Sequence, residues 1–247
     1  MDQRRKFKIY FYLFVATLSS ITIYGCSQHR ENIDLIFQTS TIHSLLEGGY
    51  DGHTTFEDLK KNGDFGLGTF NDLDGEMIGL DGKFYQIKAD GIANPVPDSE
   101  KTPFAVVTFF EPDKTLLLNK SLDCKHLEEY LDDLLQSKSV LYAIKIQGSF
   151  KYIKTRSVPR QNKPYPRLLE VLKSQPTFEF NNVDGTIVGF WFPTYMKGLN
   201  VPGYHFHFIT KYKKAGGHIL ECQIEDVSIE IDLSSELFLS LPEHSGK

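Results

Sequence analysis

The 247-residue chain predicts an α+β fold that is mostly β, with mixed or antiparallel sheets, a β-barrel-like C-terminal half and a few short helices. Three observations carry that expectation. The stretch "FGLGTFNDLDGEMIGLDGKFYQI" sets alternating apolar residues around two turn signals, Asn71 to Gly75 and Asp81-Gly82, which is the pattern of a β-meander. From Thr177 to Leu241 the alternation is almost wholly that of strands. Helical periodicity is confined to short stretches, and there is no internal repeat and no low-complexity tract.

The N-terminus stands apart from this pattern. "MDQRRKFK" is basic, and residues 9 to 25 form an uncharged apolar run that ends just before Cys26. That is the layout of an export signal. The Gly25-Cys26 junction resembles a lipobox, so the expectation is a lipoprotein-type signal over 1–25 and a lipidated Cys26 as the mature N-terminus; an uncleaved membrane anchor is the alternative. Either outcome leaves the domain outside the cytoplasm and attached to a membrane only through its N-terminus. Residues 26–38 read as a tether leading into packed structure near Leu35, and 39–247 as one domain with room for two sheet-based subdomains.

Along the domain, "TTFEDLKKNG" predicts a short helix, with Thr54 and Glu57 as a capping box and Gly63 beyond its end. The meander follows, then a strand at "FAVVTFF". In "SLDCKHLEEYLDDLLQS" the leucines fall near helical spacing, with Ser121 as the expected cap. "SVLYAIKIQGSFKYIKTRSV" alternates as paired strands, and "PYPRLLEVLKSQ" predicts a short helix entered through proline.

The net charge is −5, and loss of Arg4, Arg5, Lys6 and Lys8 with the signal would make the rest more acidic. That argues against nucleic acid as a partner. With Cys26 lipidated, Cys124 and Cys222 remain, and the expectation for both is a small buried hydrophobe rather than a disulfide framework.

The chemistry concentrates in "GYHFHF". Residues i and i+2 of a strand share a face about 6.5–7 Å apart, so His205 and His207 can converge on one ion. An isolated pair is equally consistent with two buried histidines hydrogen-bonded to carbonyls. His218 opens the next strand after "KKAGG". A turn centred on Lys214-Ala215 would leave it about 13 Å from His207, whereas a turn near Tyr212-Lys213 with a bulge at Gly216-Gly217 would bring it alongside.

"GTFNDLDGEMIGLDGKFYQI", "RSVPRQNKPYPRLLEVL" and "GYHFHFITKYKKAGGHILECQI" together resemble the α-acetolactate decarboxylase family, in the same order and over most of residues 38 to 242. The resemblance implies a zinc ion held by His205, His207 and His218, with other divalent transition ions also suited to imidazole. It further implies catalytic roles for Glu76 and Arg156, and conversion of 2-acetolactate to acetoin and carbon dioxide with zinc as Lewis acid on the β-keto acid. Thr69, on the strand before Glu76, is a further candidate for the same pocket. The family's late C-terminal glutamate maps nearest to Glu243. The chain could act as a homodimer. Two rival readings stand beside this one: a zinc-dependent hydrolase, and a non-catalytic exported lipoprotein that captures metal or a small ligand. The second rival does not require Glu76 and Arg156 to converge on the histidines.

Overall fold

The computed structural model describes residues 34–241; the expected signal, most of the tether and Glu243 lie outside these residues. In chain order the elements are β1 (Leu35–Thr39), α1 (Ile42–Leu46), β2 (Thr54–Thr55), α2 (Phe56–Lys60), β3 (Phe65–Thr69), β4 (Glu76–Leu80), β5 (Lys83–Ile87), β6 (Ala93–Pro95), β7 (Lys101–Thr102), β8 (Ala105–Thr108) and β9 (Lys114–Asp123). Then come α3 (Cys124–Leu134), β10 (Leu141–Arg156), α4 (Leu168–Val171), β11 (Thr177–Phe192), β12 (Gly203–Thr210), β13 (Gly216–Ser234) and β14 (Glu236–Ser240). The predicted α+β, strand-dominated class is the one observed. The last four residues assigned to the tether, 35–38, already belong to β1.

Two large sheets carry the fold. The first is mixed, in the order β14-β1-β8-β3-β4-β5-β6, with β1 and β14 parallel. In the second, β10 pairs with both β11 and β13, β11 pairs with β12, and β12 pairs with β13. Those four pairings close a ring, the barrel-like feature of the C-terminal half, and β9 adds to β13 outside it. The alternation of side chains then sorts the cores. Phe65, Leu67, Ile78 and Val106 of the first sheet pack on Val188, Phe190, Phe192 and Ile209 of the second. The other face of the second sheet buries Ile144, Ile146, Phe208 and Ile229 under Leu127 and Leu131 of α3. The other face of the first sheet is covered by Phe56 and Leu59 of α2.

Four local expectations are corrected. The cap of α2 is Thr55, whose Oγ1 accepts from the Asp58 N–H at 3.1 Å, because the Thr54 hydroxyl is engaged with Thr39 at 2.8 Å. The cap of α3 is Asp123, which accepts from the His126 N–H at 2.9 Å, while the Ser121 hydroxyl accepts from Gln223 instead. Residues 141–156 form one strand rather than two: Gly148, midway along it, pairs with Gly185 on one side and Val227 on the other. Finally, Cys124 and Cys222 are joined in a disulfide, with Cα atoms 5.0 Å apart across 98 residues of sequence. Such a separation hides the contact from any local reading of spacing.

Candidate active site

The site forms where the second sheet closes its ring against the first. In β12, Phe206 and Phe208 enter the core under α3 while Ile209 enters the inter-sheet core, so His205 and His207 share the face turned toward the first sheet. The hairpin to β13 resolves the two alternatives. The Thr210 N–H donates to Ala215 O at 2.9 Å, and Ile209 pairs with Gly216, Phe208 with Gly217 and His207 with His218. The turn is therefore centred near Tyr212-Lys213. His218 also pairs with Arg156 of β10 on its other side, which places Arg156, His218 and His207 on three adjacent strands. Gly217 permits this approach: its φ is +138°, and a Cβ there would lie 2.4 Å from Arg156 O.

Glu76 arrives from the first sheet. It begins β4 on the same face as Ile78 and Leu80, both in the inter-sheet core, and its register partner Thr69 donates to Gly75 O at 2.7 Å. Gly75 takes φ +103°, and a Cβ there would meet Ile87 O at 2.3 Å, so the tight turn that delivers Glu76 demands glycine. Thr69 is buried, but its hydroxyl is engaged in bracing this turn, and it is absent from the cavity wall, where its neighbour Gly68 appears.

The resulting constellation is compact. The ring centroids of His205, His207 and His218 lie 4.9 to 5.2 Å apart, and one ligand nitrogen from each falls within 4.8 Å of the others. Arg156 Nη1 donates to Glu76 Oε1 at 2.6 Å, and Glu76 Oε2 lies 3.5 Å from His207 Nε2. Burial holds all three imidazoles neutral: it pushes His205 down to about 3, with Arg156 adding to the effect. His207 and His218 are driven well below the usual histidine range by the same burial. Burial raises the Glu76 carboxyl against the opposing pull of Arg156.

These residues fit a divalent ion on four grounds. The imidazoles are neutral, the form in which they ligate metals. His207 Nδ1 lies 2.8 Å from Met77 O; a carbonyl can only accept, so the proton sits on Nδ1 and the lone pair on Nε2, the arrangement typical of a metal-ligating histidine. His207 Nε2 and His205 Nδ1 are both buried without a hydrogen-bond partner, a costly state that a bound cation would relieve at Nε2. His205 Nε2 and His218 Nδ1 stand 3.1 Å apart, close to the roughly 3.3 Å expected between two nitrogens tetrahedrally bound to one zinc.

A cavity of about 550 Å³ opens onto this cluster. Its walls are largely apolar: Ile42 and Leu45 of α1, Leu73 before β4, Phe104, Val158, and Leu168 of α4, with Lys197, Asn200 and Val201 from the β11–β12 connection. The structure brings together the three histidines, Glu76 and Arg156 that the family resemblance implies, and adds this wall, which the sequence does not single out. Leu73, Val158 and Leu168 lie inside the first two quoted motifs and carried a signal by position. Those on α1 and the β11–β12 connection carried none.

The family model for alpha-acetolactate decarboxylase matches residues 36–246. The chain belongs to the α-acetolactate decarboxylase family. The alpha-acetolactate decarboxylase of Methanosarcina mazei is 53% identical over 209 residues, covering 85% of this chain and 73% of the relative. That of Bacillus subtilis is 43% identical over 224 residues, covering 91% and 88%. The crystal structure of the enzyme from Bacillus subtilis strain 168 superposes with a TM-score of 0.84 at 44% identity, over 85% of this chain and 90% of that one. Membership makes the chain an enzyme of the carboxy-lyase class.

Proposed function

We propose that this chain decarboxylates 2-acetolactate to acetoin with a divalent ion, zinc in the first instance, held by His205, His207 and His218. The observation that supports it most is the convergence of Glu76 and Arg156 on the histidine cluster from two different sheets, with Glu76 Oε2 3.5 Å from His207 Nε2. Simple metal capture has no need of a buried ion pair at the ligands, and burying one is costly.

The substrate is a β-keto acid. Losing carbon dioxide from the carbon beside the ketone leaves an electron pair that must be held as an enediolate until a proton reaches carbon. The ion, when bound, supplies a Lewis acid toward the ketone oxygen. The chain's own residues supply the rest. Arg156 lines the cavity and has guanidinium donors beyond the one given to Glu76, so it can pair with the substrate carboxylate or the developing oxyanion. Glu76, with its affinity for a proton raised by burial, is suited to deliver that proton to carbon. The apolar wall excludes water from competing with this transfer. Racemic 2-acetolactate incubated with the metal-loaded chain should yield acetoin and carbon dioxide in equal amounts. Cleavage of an ester or amide without carbon dioxide release would instead support a hydrolase.

We further propose that the protein is exported and anchored through lipid on Cys26. The Cys124–Cys222 disulfide supports this reading, because such bonds persist in oxidising compartments outside the cytoplasm. Mass spectrometry of membrane-extracted protein tests it; an intact Met1 would overturn it.

A further inference from the structure

We propose that Lys197 captures the substrate's carboxylate at the cavity mouth, ahead of Arg156; the assignment rests on the decarboxylase reading of the site. Apart from histidines, the charged residues on the cavity wall are Glu76, Arg156 and Lys197. Glu76 and Arg156 are bound to each other at 2.6 Å, with side chains only 7% and 13% exposed, so the guanidinium is buried and its charge is partly offset by Glu76, even though its remaining donors stay open to a carboxylate that has already entered. Lys197 is exposed, and among the described residues its ammonium has neither a hydrogen bond nor an ion pair. It is the cavity's uncommitted fixed positive charge.

The root of this side chain is held firmly. Its neighbour Met196 is buried in the inter-sheet core, and the Lys197 N–H donates to Thr194 O at 3.3 Å. Three residues on, buried Asn200 donates to Gln38 Oε1 at 2.8 Å, and Gln38 Nε2 donates to Leu199 O at 2.8 Å. The Ile42 N–H of α1 binds the same carbonyl at 2.9 Å. A buried amide pair and one helix thus lock the β11–β12 connection to the first sheet, leaving the lysine a free ammonium on a fixed base. The need for it follows from charge. A chain of net charge −5 repels an anion at long range, and a local cation at the mouth reverses that field over roughly a Debye length of about 8–10 Å.

Steady-state decarboxylation of 2-acetolactate by the metal-loaded full chain, across a salt series, tests the assignment. Lys197→Gln should lower kcat/KM about five-fold at low salt, mainly through KM, and flatten the salt dependence. Lys197→Arg should restore both, and Lys125→Gln, which removes the same charge on α3, should change neither. Equal kcat/KM and salt slope in Lys197→Gln and wild type would overturn the proposal, as would an equal loss in Lys125→Gln. A parallel measurement uses equilibrium binding of 2-hydroxy-2-methylbutanoate, a hydroxy acid with no ketone to accept electrons. Lys197→Gln should bind it more weakly by a similar factor. If wild type fails to decarboxylate acetolactate, the functional reading falls while this binding arm still decides: a weaker Kd supports the carboxylate site, and an unchanged Kd removes it.

Discussion

At the scale of single residues, His207 is the best determined of the three clustered histidines, because Met77 O fixes its tautomer from a strand of the opposite sheet. His207→Ala should abolish stoichiometric metal binding, costing more than the roughly 10–100-fold typical of losing an outer partner of a ligand; metal analysis after dialysis checks this, and wild-type content in the variant would refute it. Arg156 and Glu76 make separable predictions. Arg156→Lys keeps a charge but loses the planar donor fork, and Glu76→Gln keeps the shape but cannot carry the proton. Each should stay folded and metal-loaded while turnover falls on the order of 10²-fold. Near-normal turnover in either variant removes that residue from the chemistry, and metal loss in Glu76→Gln would make Glu76 a ligand. The i, i+2 spacing of His205 and His207 made them legible as a same-face pair, whereas His218, Glu76 and Arg156 were legible only through the family resemblance, since no local spacing joins them to that pair. Thr69 was a candidate by position alone, and its bond to Gly75 O makes it a support for the turn that presents Glu76.

At the scale of elements, the strands were legible wherever turn chemistry punctuated them, as at Asn71 to Gly75 and Asp81-Gly82, whose flanking strands appear as predicted. Two kinds of information were not local and so were not legible. Alternation marks a stretch as strand but not whether it is one strand or two, which only the neighbours settle: β10 runs unbroken because β11 and β13 pair with it along its length. The Cys124–Cys222 bond depends on the start of α3 meeting the middle of β13, a contact that no spacing encodes. That bond pins a helix whose inner face carries Leu127 and Leu131 into the core. Closing a loop of 98 residues in separation restricts the unfolded chain, so Cys222→Ser, or reduction of the wild type, should cost about 2–4 kcal/mol of stability. Denaturant titration with and without reductant measures this. Coincident curves would mean that the bond contributes nothing to folding.

At the scale of the whole molecule, the connection that carries the chain from β8 of the first sheet to β9 of the second is tied down away from the cavity, where Asp232 of β13 accepts a bond from the Glu111 N–H at 3.2 Å. This carboxyl is buried, and burial pushes it up to about 7, with the charges of Asp113, Asp34 and Glu111 adding to the effect against the lowering influence of the Glu111 N–H. In the unfolded chain an aspartate releases its proton near about 3.9. Between those two values the folded state binds more protons than the unfolded state, so this group makes stability fall as pH rises through the window and level off above it. The direction is opposite to that of a salt-bridged aspartate, whose contribution is lost as pH falls. Asp232→Asn retains an oxygen that can accept from Glu111 and has nothing to ionise. Its stability relative to wild type should therefore climb steadily from pH 4 to pH 7 and then level off. Chemical denaturation of both proteins at half-unit intervals across that range reads the difference, and parallel profiles would show that Asp232 ionises no differently in the folded and unfolded chain. A second consequence separates this junction from the active site: the same substitution should leave the pH dependence of decarboxylation unchanged, since Asp232 does not line the catalytic cavity.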